Sequence, residues 1–186
     1  YCNSDLNLFL TSQDKDKFAC VYGKSIGKNR VIGVYEFSDY CDISASKSIY
    51  FNKQLTFAIT GSLSTYQTND AIQYFFDELY DCLPSDSHVL IAGRNPTDKV
   101  ISLCAQHSNV TLIPNPDNIN DVLADVDIYL CATRIGGGLK LRVMDGLKNG
   151  IPVITHVCSA RGFDAFYDLD VFKVYSSPEE FKNAVD

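Results

Sequence analysis

From Leu55 to the end of the chain, short apolar runs alternate with stretches of helical period, and few architectures can accept that order. The apolar runs are Leu55–Thr60, Val89–Ala92, Val110–Ile113, Ile128–Cys131, Pro152–Thr155 and Val171–Val174. Between them lie helical patterns at Asn69–Cys82, Thr97–Gln106, Ile119–Ala124 and Leu139–Lys148, the last closed by Gly150, and a final helix begins at Pro178. Strands this short and apolar must be covered on both faces. The alternation therefore predicts an α/β domain of three layers, a Rossmann-like, doubly wound parallel sheet of about six strands. Ligands of such sheets bind outside the carboxyl ends of the strands, so Gly61, Gly93, Pro114, Thr133 and His156 mark the edge where chemistry is expected.

Residues 1–52 have a different texture. A helix is predicted from Thr11-Ser12-Gln13-Asp14, where a hydroxyl caps free amides, and Val31–Phe37 reads as a strand. Ser38–Ser48 reads as a connector. One helix and one strand cannot bury a core. This segment is therefore read as the tail of a missing N-terminal domain plus a linker, with residues 53–186 as the Rossmann-like domain; the start at Tyr1 agrees with that reading.

Charge narrows the partners. With 16 basic and 23 acidic residues among 186, the chain carries −7, which disfavours nucleic acid and anionic surfaces as general partners. No apolar run reaches the roughly 20 residues of a membrane span. The seven cysteines form no CxxC pair and have no histidine-rich companion segment, so zinc is not expected and a reducing cytosol is the simplest setting.

Against this acidic background one basic stretch stands out, Arg134-Ile135-Gly136-Gly137-Gly138-Leu139-Lys140-Leu141-Arg142. Consecutive glycines permit close backbone approach, and a helix start presents unpaired amides of positive potential. With Arg134, Lys140 and Arg142 added, the stretch reads as a phosphate cradle, or else as a flexible loop with solvated cations. It matches neither the GxxxxGKS loop nor the GxGxxG turn. Asp145, five residues after Lys140, is placed either to accept from ribose hydroxyls or to pair with a neighbouring lysine. Arg94, after Gly93, suits either a second phosphate oxygen or a surface ion pair. Gly61 and Ser62 end the first strand, where a ligand could approach. Of the three histidines, His88 and His107 read as structural, and only His156 falls on the ligand edge. No nucleophilic triad or acid–base carboxylate pair is legible.

Taken in order, Thr56–Ser62, Asn69-Asp70-Ala71, Ile91–Pro96, Asn109-Val110-Thr111, Ala124–Asp127, Arg134–Leu147 and Gly150–Ile154 resemble the C-terminal, donor-binding domain of family 4 retaining glycosyltransferases, which pair two Rossmann-like domains in the GT-B arrangement. Leu8–Asp14 resembles the end of the acceptor-side domain of such enzymes. The resemblance implies hexosyl transfer from a UDP-, GDP- or similar nucleotide sugar to a glycan or lipid-linked acceptor held mainly by the other domain. It implies that Lys140, Arg142 and the Gly138 and Leu139 amides face the diphosphate, and that Ile113 and Pro114 lie near the base. The family commonly has two glutamates at this helix start; the second is matched by Asp145, and the first, eight residues earlier, falls on Gly137. The Asp125-Val126-Asp127 triplet sits at a strand start, so no metal and no cofactor beyond the donor are expected. The implied setting is cytoplasmic, in polysaccharide biosynthesis, and is compatible with peripheral contact at the inner membrane face. Two other readings stay open, a nucleotide-sugar epimerase of the same architecture and a non-catalytic nucleotide-binding module.

Overall fold

The computed structural model describes residues 4–23, 28–33 and 54–186. The connector at Ser38–Ser48 and the end of the strand predicted at Val31–Phe37 fall outside them. Near the N-terminus, β1 (Asn7–Phe9) pairs in parallel with β2 (Asn29–Val31), and α1 (Ser12–Tyr22) runs between them. Thr11 caps α1 as its sequence suggests, its Oγ1 accepting from the Asp14 amide at 3.0 Å. The sequence reading assigned no strand to Asn7–Phe9. Three residues carry too little periodicity to show one, and the pairing with Asn29–Val31 is non-local. Leu6, Leu8 and Leu10 are exposed.

The larger unit contains β3 (Thr56–Ser62), α2 (Tyr66–Tyr74), β4 (His88–Arg94), α3 (Asp98–Ala105), β5 (Val110–Pro114), α4 (Ile119–Leu123), β6 (Ile128–Cys131), α5 (Arg142–Lys148), β7 (Val153–His156), β8 (Phe172–Tyr175) and α6 (Pro178–Val185). Its sheet has six strands, all parallel, in the order β5-β4-β3-β6-β7-β8. This is the expected doubly wound α/β fold. Side chains alternate across the sheet, so two cores form. Phe57, Ile59 and Leu130 pack with Ile72, Phe75 and Phe181 on one face. Ala58, Tyr129 and Cys131 pack with Leu123, Val143 and Val153 on the other. Each fully buried aromatic or branched side chain contributes about 1.5–3 kcal/mol. Tyr129 is 1% exposed, and its hydroxyl is satisfied by Thr60 Oγ1 at 2.7 Å.

Two helices differ from the sequence pattern. The stretch predicted as one helix from Asn69 to Cys82 starts earlier, at Tyr66, and continues past Tyr74 as a π turn (Phe75–Leu79) and a 3₁₀ turn (Tyr80–Cys82). The helix predicted to begin at Leu139 begins at Arg142. Gly136 and Gly138, at φ of 89° and 73°, occupy left-handed turn conformations that a right-handed helix cannot include. The Gly138 and Leu139 amides therefore belong to a loop that precedes the helix.

Candidate functional site

Strand order reverses between β3 and β6, and the loops leaving these neighbours diverge to opposite faces of the sheet. That divergence opens a crevice at their carboxyl ends. On the β3 side the backbone is bare. Gly61 is in register with Gly93, and Gly93 with Pro114. A Cβ at Gly93 would lie 1.7 Å from the Gly61 carbonyl oxygen, so these strand ends approach as only glycine permits. The rim beyond is tied by hydrogen bonds. The Leu63 amide donates to the Arg94 carbonyl at 2.8 Å, and Asn95 and Asn115, both at positive φ, are joined by a bond from the Asn95 amide to Asn115 Oδ1 at 2.8 Å. Asn69 fastens the β3–α2 turn, donating to the Leu63 and Thr65 carbonyls at 2.8 Å and accepting from Thr97 Oγ1 at 2.7 Å. Ser62 is half-buried, with its Oγ 3.2 Å from Ser64 Oγ; Arg94 and Pro114 are exposed, and Ile113 is half-buried between them.

On the β6 side two cations follow the glycines, Lys140 at the end of the 134–141 loop and Arg142 at the first position of α5. Arg142 crosses the crevice to Gly61, where a Cβ would meet its Cζ at 2.6 Å and its Nε at 2.8 Å. Glycine at position 61 is thus what lets the guanidinium lie against the end of β3. Lys140 Nζ donates to the Gly137 carbonyl at 3.1 Å, and burial holds its ammonium below the usual lysine value. Gly136 is enclosed by Gln67 and Lys140, whereas Gly137 has open space where a Cβ would be and does not have positive φ. The structure therefore brings together Gly61, Gly137, Lys140 and Arg142.

Arg134, at the base of the same loop, is turned elsewhere. Its guanidinium bonds Asp70 at 3.1 and 3.3 Å, lies 3.7 Å from Glu78 and sits 4.4 Å above the Tyr74 ring. Asp70, Tyr74 and Glu78 recur every four residues along α2 and its π turn, forming one stripe that anchors the loop. Behind Tyr74, His156 is 9% exposed and packs edge-on against Tyr74 and Tyr175. Burial first, and the Arg134 charge second, hold its imidazole below the ordinary value of 6.5. The unfolded chain then binds a proton that the folded chain refuses, so stability is expected to decline as pH falls below 6.5. Urea midpoints at pH 8 and pH 5 should show that decline in the wild type and a smaller one in His156→Gln.

Asp145 lies one turn into α5 and pairs with Lys148 Nζ at 3.2 Å, both side chains about one-quarter exposed. Gly146 allows α5 to press on the sheet, since a Cβ there would come within 2.6 Å of Val153 Cγ2. Sequence reasoning did not identify Gln67, Asn69, Asp70, Glu78 or Ser159 as supports of this site. Ser159 is fully buried and donates to the Thr133 carbonyl at 2.6 Å. A lone serine in a loop carries no signal for that contact, whereas the spacing of Asp70 and Glu78 on a helix facing a basic loop is a readable cue. Among the described residues no group of His, Cys, Asp and Glu is arranged to hold a metal ion, and no helix is long and apolar enough to cross a membrane. An open groove of about 530 Å³ beside β8 and α6, lined by Phe172, Lys173 and Glu180 among others, shares no residue with the crevice.

Several solved glycosyltransferases share this architecture. S. aureus TarM, determined with fondaparinux, α-GlcNAc-glycerol and UDP, superposes with a TM-score of 0.70 at 12% identity over 96% of this chain and 35% of its own. Anabaena HepE with UDP and glucose gives 0.68 at 13% identity over 98% of this chain and 53% of its own. Pneumococcal O-GlcNAc transferase GtfA with UDP and GlcNAc gives 0.65 at 16% identity over 97% and 37%. The chain thus spans about one-third to one-half of those proteins. No curated protein matches by sequence. Residues 54–185, the unit built on the six-stranded sheet, match the family model of group 1 glycosyl transferases. The chain belongs to the group 1 glycosyltransferase family.

Proposed function

We propose that this chain is the donor-binding part of a family 4 retaining hexosyltransferase, in which residues 53–186 hold a nucleoside diphosphate sugar and residues 1–52 are the tail of the acceptor-side domain plus the linker. The observation that carries this reading is the meeting of Lys140 and Arg142 over bare backbone at Gly61 and Gly137, in the crevice where β3 and β6 diverge. In this reading the diphosphate lies between the two cations and the loop amides at Gly138 and Leu139. The base lies toward Ile113, Pro114 and Arg94, the ribose hydroxyls bond Asp145, and the donor sugar fills the open space at Gly137. The departing diphosphate gains negative charge as the sugar leaves, and fixed cations stabilise that charge without a divalent metal. UDP in the TarM, HepE and GtfA structures makes uridine the first base to test. A glycan or lipid-linked acceptor, a polysaccharide pathway and a cytoplasmic site at the inner membrane face complete the reading. A non-catalytic nucleotide-binding module is the second reading, favoured by glycine at position 137 where the family commonly has glutamate.

Calorimetry of the chain with UDP, GDP, ADP and their sugar conjugates, in EDTA and then with magnesium, tests both. The donor reading expects one nucleoside diphosphate to bind best without metal, and Asp145→Ala to weaken it about tenfold through a lost charge-assisted bond. Binding only with magnesium would overturn metal independence, and no binding by any would overturn the donor reading. Binding without sugar transfer by the full-length protein would favour the module.

A further inference from the structure

The connection between β7 and β8 brings a further cation to the rim of the crevice. Ser159, fully buried and bonded to the Thr133 carbonyl at 2.6 Å, fixes one end of this connection to the end of β6. Gly162, at φ 86°, fixes the other against the basic loop, since a Cβ there would lie 2.6 Å from Leu139 Cδ1. Arg161 leaves the backbone between these two contacts and is exposed. Its charge acts on Lys140, adding with Arg142 to the effect of burial on that ammonium. The cations therefore follow the order of the sheet, with Arg142 at β3, Lys140 on the β6 loop and Arg161 on the β7 connection. None of the three forms an ion pair with a carboxylate among the described residues, whereas Arg134 and Lys148 do. The acidic residue nearest to Arg161 along the chain, Asp164, accepts from Gln13 Nε2 at 2.6 Å. Grouping three positive charges opposes folding, and a bound polyanion would offset that repulsion.

We propose that Arg161 is a third anion-binding residue, acting on the terminal phosphate of the nucleoside diphosphate. This rests on the donor-site reading above. With the base toward β5, the row of cations leads from the nucleoside end to the end that bears the sugar. There Gly162 also meets Thr11, where a Cβ would lie 2.7 Å from Thr11 Cγ2. A sugar on the terminal phosphate removes one of its ionisations, so the free diphosphate carries about one more negative charge than the sugar conjugate near neutral pH. Arg161 therefore favours the free diphosphate over the conjugate.

The test is calorimetry of the chain with whichever of UDP, GDP and ADP binds best, with its glucose conjugate, and at two salt concentrations. Arg161→Gln is expected to weaken the free diphosphate about tenfold, to weaken the glucose conjugate less than threefold, and to flatten the salt dependence of the former. Arg161→Lys should recover most of the affinity. Equal affinity of wild type and Arg161→Gln for the diphosphate, while Lys140→Gln loses it, would overturn the proposal and leave the donor reading standing. An equal loss for diphosphate and conjugate would overturn the assignment to the terminal phosphate. No binding of any diphosphate by the wild type would overturn the donor reading, and the proposal with it. Arg161 is exposed, so unchanged thermal unfolding of the variant would separate lost binding from lost folding.

Discussion

Gly93→Ala is expected to destabilise the domain by about 3 kcal/mol or more, at or beyond the upper end of ordinary overpacking. The added methyl would arrive 1.7 Å from the Gly61 carbonyl oxygen and 2.8 Å from its carbon. Those are backbone atoms of a paired strand, so no rotamer change relieves the contact. Relief requires β3 and β4 to separate at their carboxyl ends, which breaks the bond from the Leu63 amide to the Arg94 carbonyl. Gly137→Ala is the control, because its Cβ would meet nothing within 4 Å and its φ is not left-handed. It should stay within about 0.5 kcal/mol of wild type. Urea denaturation of both variants decides the matter. A Gly93→Ala midpoint equal to that of Gly137→Ala would refute the close approach of the two strands.

The second large effect is on ligand binding. Arg142→Ala is expected to weaken the preferred nucleoside diphosphate by about 10- to 100-fold, the range for a lost hydrogen bond between charged partners. Gly61→Ala should act through the same side chain. Its methyl would displace the guanidinium, which lies 2.6 Å from the position of the new Cβ and, at the end of a flexible chain, is able to move. Gly61→Ala should therefore reduce affinity in the presence of Arg142 and add little in its absence. A double-mutant cycle measures this coupling directly. Additive losses would show that Gly61 meets the ligand by itself rather than by seating Arg142.

Much of the fold was legible because parallel, two-side-buried strands appear as apolar runs whatever their partners. All six strands of the main sheet fall within a few residues of the predicted runs. Their order is the natural one for right-handed crossovers turning back from the first strand. The departures are local events set by distant atoms. Conversion of α2 to a π turn at Phe75 leaves no mark on the apolar period. The late start of α5 follows from the φ of Gly136 and Gly138, and a run of glycines alone does not say which of them will be left-handed. At the site, Lys140, Arg142 and the glycines could be singled out because charge and bare backbone are visible locally. The pairing of Arg134 with Asp70 spans 64 residues, and the approach of Arg161 to Lys140 depends on how the β7 connection folds over the β6 loop. Neither is a property of a short window.

The two glycine contacts at the end of β3 also differ in how the chain can vary over evolutionary time. A side chain at position 93 collides with a carbonyl oxygen, which every amino acid at position 61 would also possess. No compensating replacement at 61 can make room, so glycine at 93 is held independently of its neighbour. A side chain at 61 collides with the tip of Arg142, and a shorter residue at 142 would remove the obstacle. Sequences descended from this fold should therefore hold position 93 fixed, while positions 61 and 142 change together or not at all.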